Sequence, residues 1–246
     1  MRKVEILNVG VHAQRFDEAT ARLVAWAQEP TPRYVCTCPV YTLMIADEIP
    51  QAHEALANAD MVTADGMPVV WVQRRKGILE AERCHGPGLM REVCRLSAGT
   101  GIKHYLWGGE PGVPELLGEE IQRQYGDVNI VGAYAPPFEA VGTPPQAEYV
   151  ERINAAAPDI VWVGLGSPKQ DVWMHLYRDH LTAPLLIGVG AAFNFISGRK
   201  RQAPEWVGDL GLEWSFRLFQ EPRRLGQRYL KYNTLFIWRL INEGEF

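Results

Sequence analysis

The chain has no run of roughly 18 uncharged apolar residues, the length a helix needs to cross a bilayer. Its opening, Met1-Arg2-Lys3-Val4-Glu5-Ile6-Leu7-Asn8, lacks the apolar core of a secretory signal, so a cytoplasmic protein is expected. Cysteine is scarce. Cys36, Cys38, Cys84 and Cys94 suit reduced thiols in that compartment and do not form a disulfide framework. Cys36 and Cys38 fall two apart on an expected strand, hence on one face, and read as small buried hydrophobes. The six histidines form no regularly spaced cluster with them, so no zinc site is expected. An excess of positive charge is also missing: the net charge of -4 argues against bulk nucleic-acid affinity, though not against a local basic patch.

What is present is an ordinary globular composition, 47% hydrophobic and 22% charged, in a chain long enough to bury a full α/β core. Strand and helix signals alternate without repeats. Arg33–Thr37 reads as a strand, preceded by a helix opening near Asp17 and stopped by Pro30 and Pro32. Pro50–Ala59 reads as a helix feeding a strand that ends at Asp65, and Pro68 suits the first turn of the next helix. Further helices are expected over Leu89–Ala98, over Val113–Tyr125 and before Asp159. Strands are expected at Lys103–Trp107 and Asn129–Val131. This alternation predicts a Rossmann-like α/β fold, a mainly parallel sheet flanked by helices, over residues 1–197.

Two segments share one design, an apolar run followed by a glycine hinge and polar groups. They are Asp159-Ile-Val-Trp-Val-Gly164-Leu-Gly166-Ser-Pro-Lys169-Gln170 and Leu185-Leu-Ile-Gly-Val-Gly190-Ala-Ala-Phe-Asn194. Each reads as a buried strand carrying glycines and functional side chains to its carboxyl end, the edge at which open α/β sheets bind ligands. Met61-Val-Thr-Ala-Asp65-Gly66 is a third such edge and carries a carboxylate. Together they point to an enzyme handling a phosphorylated small molecule. Gly108-Gly109-Glu110 reads as a turn, because Glu110 would repel a phosphate.

Residues 198–246 differ in character and are expected to form a C-terminal helical appendage. Between Arg217 and Arg239 lie six basic residues and one acidic residue, Glu221, interleaved with aromatics. Such a segment lies on an anionic membrane surface or closes over phosphates, or else it docks on the core with its cations solvated.

Several of these segments resemble the WecG/TagA/CpsF family of bacterial glycosyltransferases (glycosyltransferase family 26). They are Ala64–Trp71, Glu82–Leu89, Val163–Trp173, Gly188–Phe193, Gly211–Arg217, Glu221–Arg224 and Arg228-Tyr229. The likeness runs in order over essentially the whole chain. It implies an inverting, metal-independent hexosyltransferase without a cofactor, moving a sugar from a UDP-sugar to an undecaprenyl-diphosphate-linked sugar. The partners implied are that donor, that acceptor and the inner face of the cell membrane, with a homo-oligomer also open. The products are exopolysaccharide, capsule or teichoic acid of the cell wall. Ala133–Phe138 looks most like the exopolysaccharide branch. The chain departs from the family's usual residues at Pro39 (for Asn), Gly88 (for an acidic residue), Asp171 (for Glu), Asn194 (for Asp) and Gln202 (for Arg).

On this resemblance Asp65 is the expected catalytic base, deprotonating the acceptor hydroxyl. Capping the helix near Pro68 is its other reading. No Asp-x-Asp stands in a strand context suited to Mg²⁺, so cationic forks are expected to stabilise the departing diphosphate: Arg83, Arg217, Arg224 and Arg228. Lys169 and Gln170 head a helix after the glycine loop. Gly164, Gly166 and Gly190 would let the backbone approach the donor, and Thr37 ends a strand near a sugar hydroxyl. Asn194 completes the expected substrate-binding set.

Two other classes compete. A nicotinamide oxidoreductase would need a third glycine after Gly164-x-Gly166 and an acidic residue roughly 20 positions later. A non-catalytic peripheral membrane scaffold of a polysaccharide-assembly complex would use only the basic tail.

Overall fold

The computed structural model describes residues 1–242, apart from the side chains of Glu205, Asp209 and Arg224. Two short strands, β1 (Arg2–Ile6) and β2 (Val9–Ala13), open the chain as an antiparallel hairpin. Then follow α1 (Phe16–Trp26), β3 (Arg33–Cys38), α2 (Val40–Glu48), α3 (Pro50–Ala57), β4 (Met61–Ala64), α4 (Met67–Arg75) and α5 (Gly86–Ser97). The middle of the chain is β5 (Lys103–Gly108), α6 (Val113–Tyr125), β6 (Asn129–Tyr134) and α7 (Ala147–Ala156). It continues through β7 (Ile160–Gly164), α8 (Lys169–Tyr177), β8 (Leu185–Gly188) and the short α9 (Ala192–Ile196). The chain ends on α10 (Glu205–Asp209), α11 (Glu213–Gln220) and the long α12 (Pro222–Asn242).

All eight strands join one sheet in the order β1-β2-β4-β3-β8-β7-β5-β6, parallel except for the β1–β2 hairpin. The expected Rossmann-like architecture is therefore present. Successive side chains on a strand point to opposite faces, and the central strands feed two cores accordingly. Val35, Trp162, Leu185 and Ile187 join the cluster under α1, α5, α6 and α9. Tyr34, Cys36, Val161, Val163 and Leu186 join the cluster under α2, α7, α8 and α12. Cys36 and Cys38 share this second face, as their spacing predicts. Burial holds both thiols well above the usual range.

The registers bring the functional edge into line. Cys38 pairs with Ala64, Cys36 with Gly188, and Gly188 with Val163. The residues that follow each strand, Pro39, Asp65, Val189 and Leu165, thus emerge along the same carboxyl edge.

The C-terminal segment returns to the core. From α12, Tyr232, Phe236 and Leu240 are buried in the α2 side of the core, Leu225 is buried as well, and Tyr232 meets the ring of Tyr41 edge-on. Lys231 pairs with Glu48 at 2.7 Å, and Arg239 pairs with Asp47. Two of the six tail cations are thus held by carboxylates of α2. The docked-helix reading accounts for this inner face. Phe219 on α11 and Leu230 and Trp238 on α12 stay exposed at 87%, 75% and 59%. Among the described residues no helix is long and apolar enough to cross a membrane.

Candidate functional site

A cleft of about 390 Å³ opens at the carboxyl ends of β3, β4, β7 and β8. Its floor carries Thr37, Pro39, Asp65, Gly164, Gly166, Gln170 and Gly190; α11 roofs it with Glu213 and Arg217, α12 with Arg228, and Glu221 lines it from between the two helices. The parallel registers gather residues distant in sequence here, which is how this fold class builds ligand sites.

Asp65 follows β4 directly and is half-buried at the cleft wall. Its main-chain amide donates to the Cys38 carbonyl at 3.3 Å, tying it to β3. The Gly86 amide, at the head of α5, donates to its carboxylate. Burial raises the carboxyl to about 7, against opposing pulls from Arg83 and Arg217 and in concert with Glu213. A carboxylate poised near neutral pH has the proton affinity a general base needs. The capping alternative does not hold. Gly66 occupies the cap position of α4, with no side-chain cap bond.

Gln170 is buried and works inside the floor. Its side-chain oxygen accepts the amides of Gly166 at 3.1 Å and Gly190 at 2.9 Å. One acceptor thereby joins the loop after β7 to the loop after β8. Both glycines lie in the left-handed region, φ +77° and +53°, where a side chain is strained. Gly164 serves packing: a Cβ there would lie 2.7 Å from the buried Phe193 ring. The Thr37 hydroxyl donates to the Gly188 carbonyl at 2.9 Å, leaving its oxygen lone pairs toward other donors. Asp171, beside Gln170, is fully buried against Cys36 and Ser167. Burial lifts its carboxyl to about 6.

Asn194, Arg217 and Arg228 also line the cleft. The Arg217 guanidinium lies 5.8 Å from the Phe195 ring, and that of Arg228 stacks on Tyr41. Arg224 falls on α12, but its side chain lies outside the described residues.

Two expected ligands are placed otherwise. Lys169 does not face the cleft. It sits 3.6 Å over the Phe138 ring in a separate small recess beside Pro136 and Pro137. Consecutive residues of a helix point about 100° apart, and here Gln170 and Lys169 face different recesses. Arg83 is absent from the cleft lining. Its Nε donates to the Asp65 carbonyl at 2.9 Å, and its Nη2 pairs with Glu213. Its fork is spent on protein groups.

Lining residues that sequence reasoning did not select include Glu110, Lys200, Glu213 and Glu221. Lys200 pairs with Glu221 at 2.8 Å. The signal for Lys200 was its place in Arg199-Lys200-Arg201; Glu110 was read as only a turn residue. Of the departures from the family pattern, Pro39 and Asn194 line the cleft, whereas Gly88 and Gln202 do not. Gly88 leaves room for a neighbouring imidazole: a Cβ would meet the His85 ring at 2.6 Å. Among the described residues no group of three or more His, Cys, Asp or Glu is placed to hold a metal ion.

This edge-of-sheet cleft sets one near-neutral carboxyl, Asp65, below a roof that mixes two arginines, Arg217 and Arg228, with two carboxylates, Glu213 and Glu221. A family model for the glycosyl transferase WecG/TagA/CpsF family matches residues 4–245, and the chain belongs to that family of glycosyltransferases.

Proposed function

We propose that the protein transfers a hexosyl residue with inversion from a UDP-sugar to an undecaprenyl-diphosphate-linked sugar, in the assembly of a bacterial cell-surface polysaccharide. The observation that carries this reading is Asp65, a carboxyl raised to about 7 at the wall of the cleft. In this reading Asp65 takes the proton of the acceptor hydroxyl as its oxygen attacks the anomeric carbon. The bond from that carbon to the UDP oxygen breaks as the new bond forms, and the pair of electrons leaves with UDP. Arg217 and Arg228, with Arg224 beside them in sequence, stabilise the charge growing on the diphosphate. The glycine loops clipped by Gln170 form the donor floor.

The exposed Phe219, Leu230 and Trp238 support a peripheral position at the inner membrane face, where a lipid-linked acceptor would lie. In the same reading residues 198–246 act as an appendage that closes the site over a 1–197 core. A purely scaffolding protein would have no use for a poised carboxyl in a cleft of this size. The test is direct. Purified protein is offered UDP-glucose, UDP-N-acetylglucosamine, UDP-N-acetylmannosamine and UDP-glucuronate with a short-chain lipid-diphosphate sugar. Transfer from one of them, with release of UDP, is expected; binding of none would overturn the reading.

A further inference from the structure

Arg83 is gripped from three directions. Its Nε donates to the main-chain carbonyl of Asp65 at 2.9 Å, and its Nη2 pairs with the Glu213 carboxylate. Its Nη1 lies against Gly208 of α10, where a Cβ would collide with it. The pair is largely enclosed, with side-chain exposures of 12% for Arg83 and 21% for Glu213. Arg83 belongs to the α4–α5 loop; Glu213 is the first residue of α11. The contact therefore joins the C-terminal segment to the backbone of Asp65.

Without Glu213, the enclosed guanidinium would lose its carboxylate partner while still acting on the charge of the nearby Asp65 carboxylate. A cation held against a carboxylate favours its charged form and weakens it as a base. Among the described residues, the other groups facing Asp65 are few. Arg217 reaches it from α11, the Gly86 amide from α5, Cys84 from the α4–α5 loop and Cys38 from β3. The two thiols are held neutral by burial. Glu213 is thus the carboxylate set against Arg83 and Arg217.

We propose that Glu213 is a positioning residue. It holds Arg83 on the main chain of Asp65 and off its carboxylate, so Asp65 is armed as a base only when α11 is docked. This rests on the general-base reading of Asp65 and adds to it. The base and its roof become one unit, and a core with α11 displaced would hold Asp65 as a charged, Arg-paired and weakly basic group. Such coupling would keep the base idle until the tail is seated over bound donor.

The experiment compares wild type, Glu213→Gln and the double variant Arg83→Gln/Glu213→Gln. It reads the pH dependence of kcat/KM and the ¹³C titration of the Asp65 carboxyl, whose signal is assigned by its absence in Asp65→Asn. In Glu213→Gln the carboxyl titration and the acidic limb of the rate profile are both expected to move down by about one pH unit, with a lower plateau. In the double variant, with the cation also gone, both are expected back at or above the wild-type pH. A merely structural ion pair would lower activity in all variants without moving the limb.

An unmoved Asp65 titration in Glu213→Gln overturns the role of Glu213. A moved titration with an unmoved rate limb overturns the general-base reading instead. Should Glu213→Gln fail to fold, the double variant decides: an acid-shifted titration there overturns the proposal.

Discussion

The Gln170 side-chain oxygen accepts the Gly190 amide at 2.9 Å, so the loop after β8 hangs from the helix that follows β7. The same oxygen takes the Gly166 amide, and Gly188 leaves the space the carboxamide fills. Replacement by Leu leaves two amides without their acceptor. The cost is about 1–3 kcal/mol for each amide that water cannot reach. At about 2–4 °C per kcal/mol for a chain of this size, Gln170→Leu should melt several degrees below wild type. Donor KM should rise as the loops separate. An unchanged melt and KM would show that the loops hold their positions without the clip.

Stability should depend on pH through Asp65 with a definite sign. Its ordinary value is 3.8 and its folded value about 7. The unfolded chain releases this proton at lower pH than the folded one, so stability falls as pH rises from 3.8 through 7, and the full cost stands above 7. Asp171, raised to about 6 by burial, acts in the same sense. Asp65→Asn should therefore raise the Tm at pH 8 and change it little at pH 4. A Tm gain independent of pH would remove the buried charge as its cause.

On the acid side two buried histidines contribute. His12 and His104 are held neutral by burial, each lowered from 6.5 to about 4. Their contribution is complete above 6.5 and is lost as pH falls toward 4. His104 also accepts the Trp162 indole N–H at 3.0 Å. His104→Gln should flatten the loss of stability between pH 6.5 and 4, read by urea melts across that range.

The sequence predicts the parallel core well because buried parallel strands show as short apolar runs between helix signals. β3, β5, β7 and α6 fall where those patterns place them. The N-terminal hairpin was silent for a physical reason. Its two-residue turn is Leu7-Asn8, both left-handed at φ 49° and 66°, and lacks the Asn-Gly or Asp-Gly signal of such turns. α2 was also missed: Val40 and the run Thr42–Ala46 are buried around the helix, so no amphipathic period marks it. At the site, Asp65 and the glycine edges were visible as strand ends. The engagement of Arg83 by Glu213 was not, since it links residues 130 apart.

The outer tail face gives a prediction separable from folding. Phe219, Leu230 and Trp238 are exposed, while the inner face of α12 holds the helix on the core. The triple change of these residues to Ser should leave the Tm nearly unchanged and weaken binding to anionic vesicles. Truncation before Trp214 is a poorer test, because it would also strip Tyr232, Phe236 and Leu240 from the core. Undiminished vesicle binding in the triple variant would remove this face from membrane association.

The proposed reliance on guanidinium groups predicts that transfer survives prolonged EDTA treatment. Arg217→Ala and Arg228→Ala, which take cations from the cleft roof, should each lower turnover by about 10- to 100-fold. Loss of activity in EDTA with recovery in Mg²⁺ or Mn²⁺ would assign leaving-group stabilisation to a metal instead.

The central claim is that Asp65 takes the acceptor proton. Its most direct test is single-turnover transfer by Asp65→Asn, measured beside donor binding by the same preparation. The account predicts a rate lower by about 10² to 10⁴, the usual loss when a general base is removed, with donor affinity within a few-fold of wild type. Transfer by the Asn variant at the wild-type rate would contradict it.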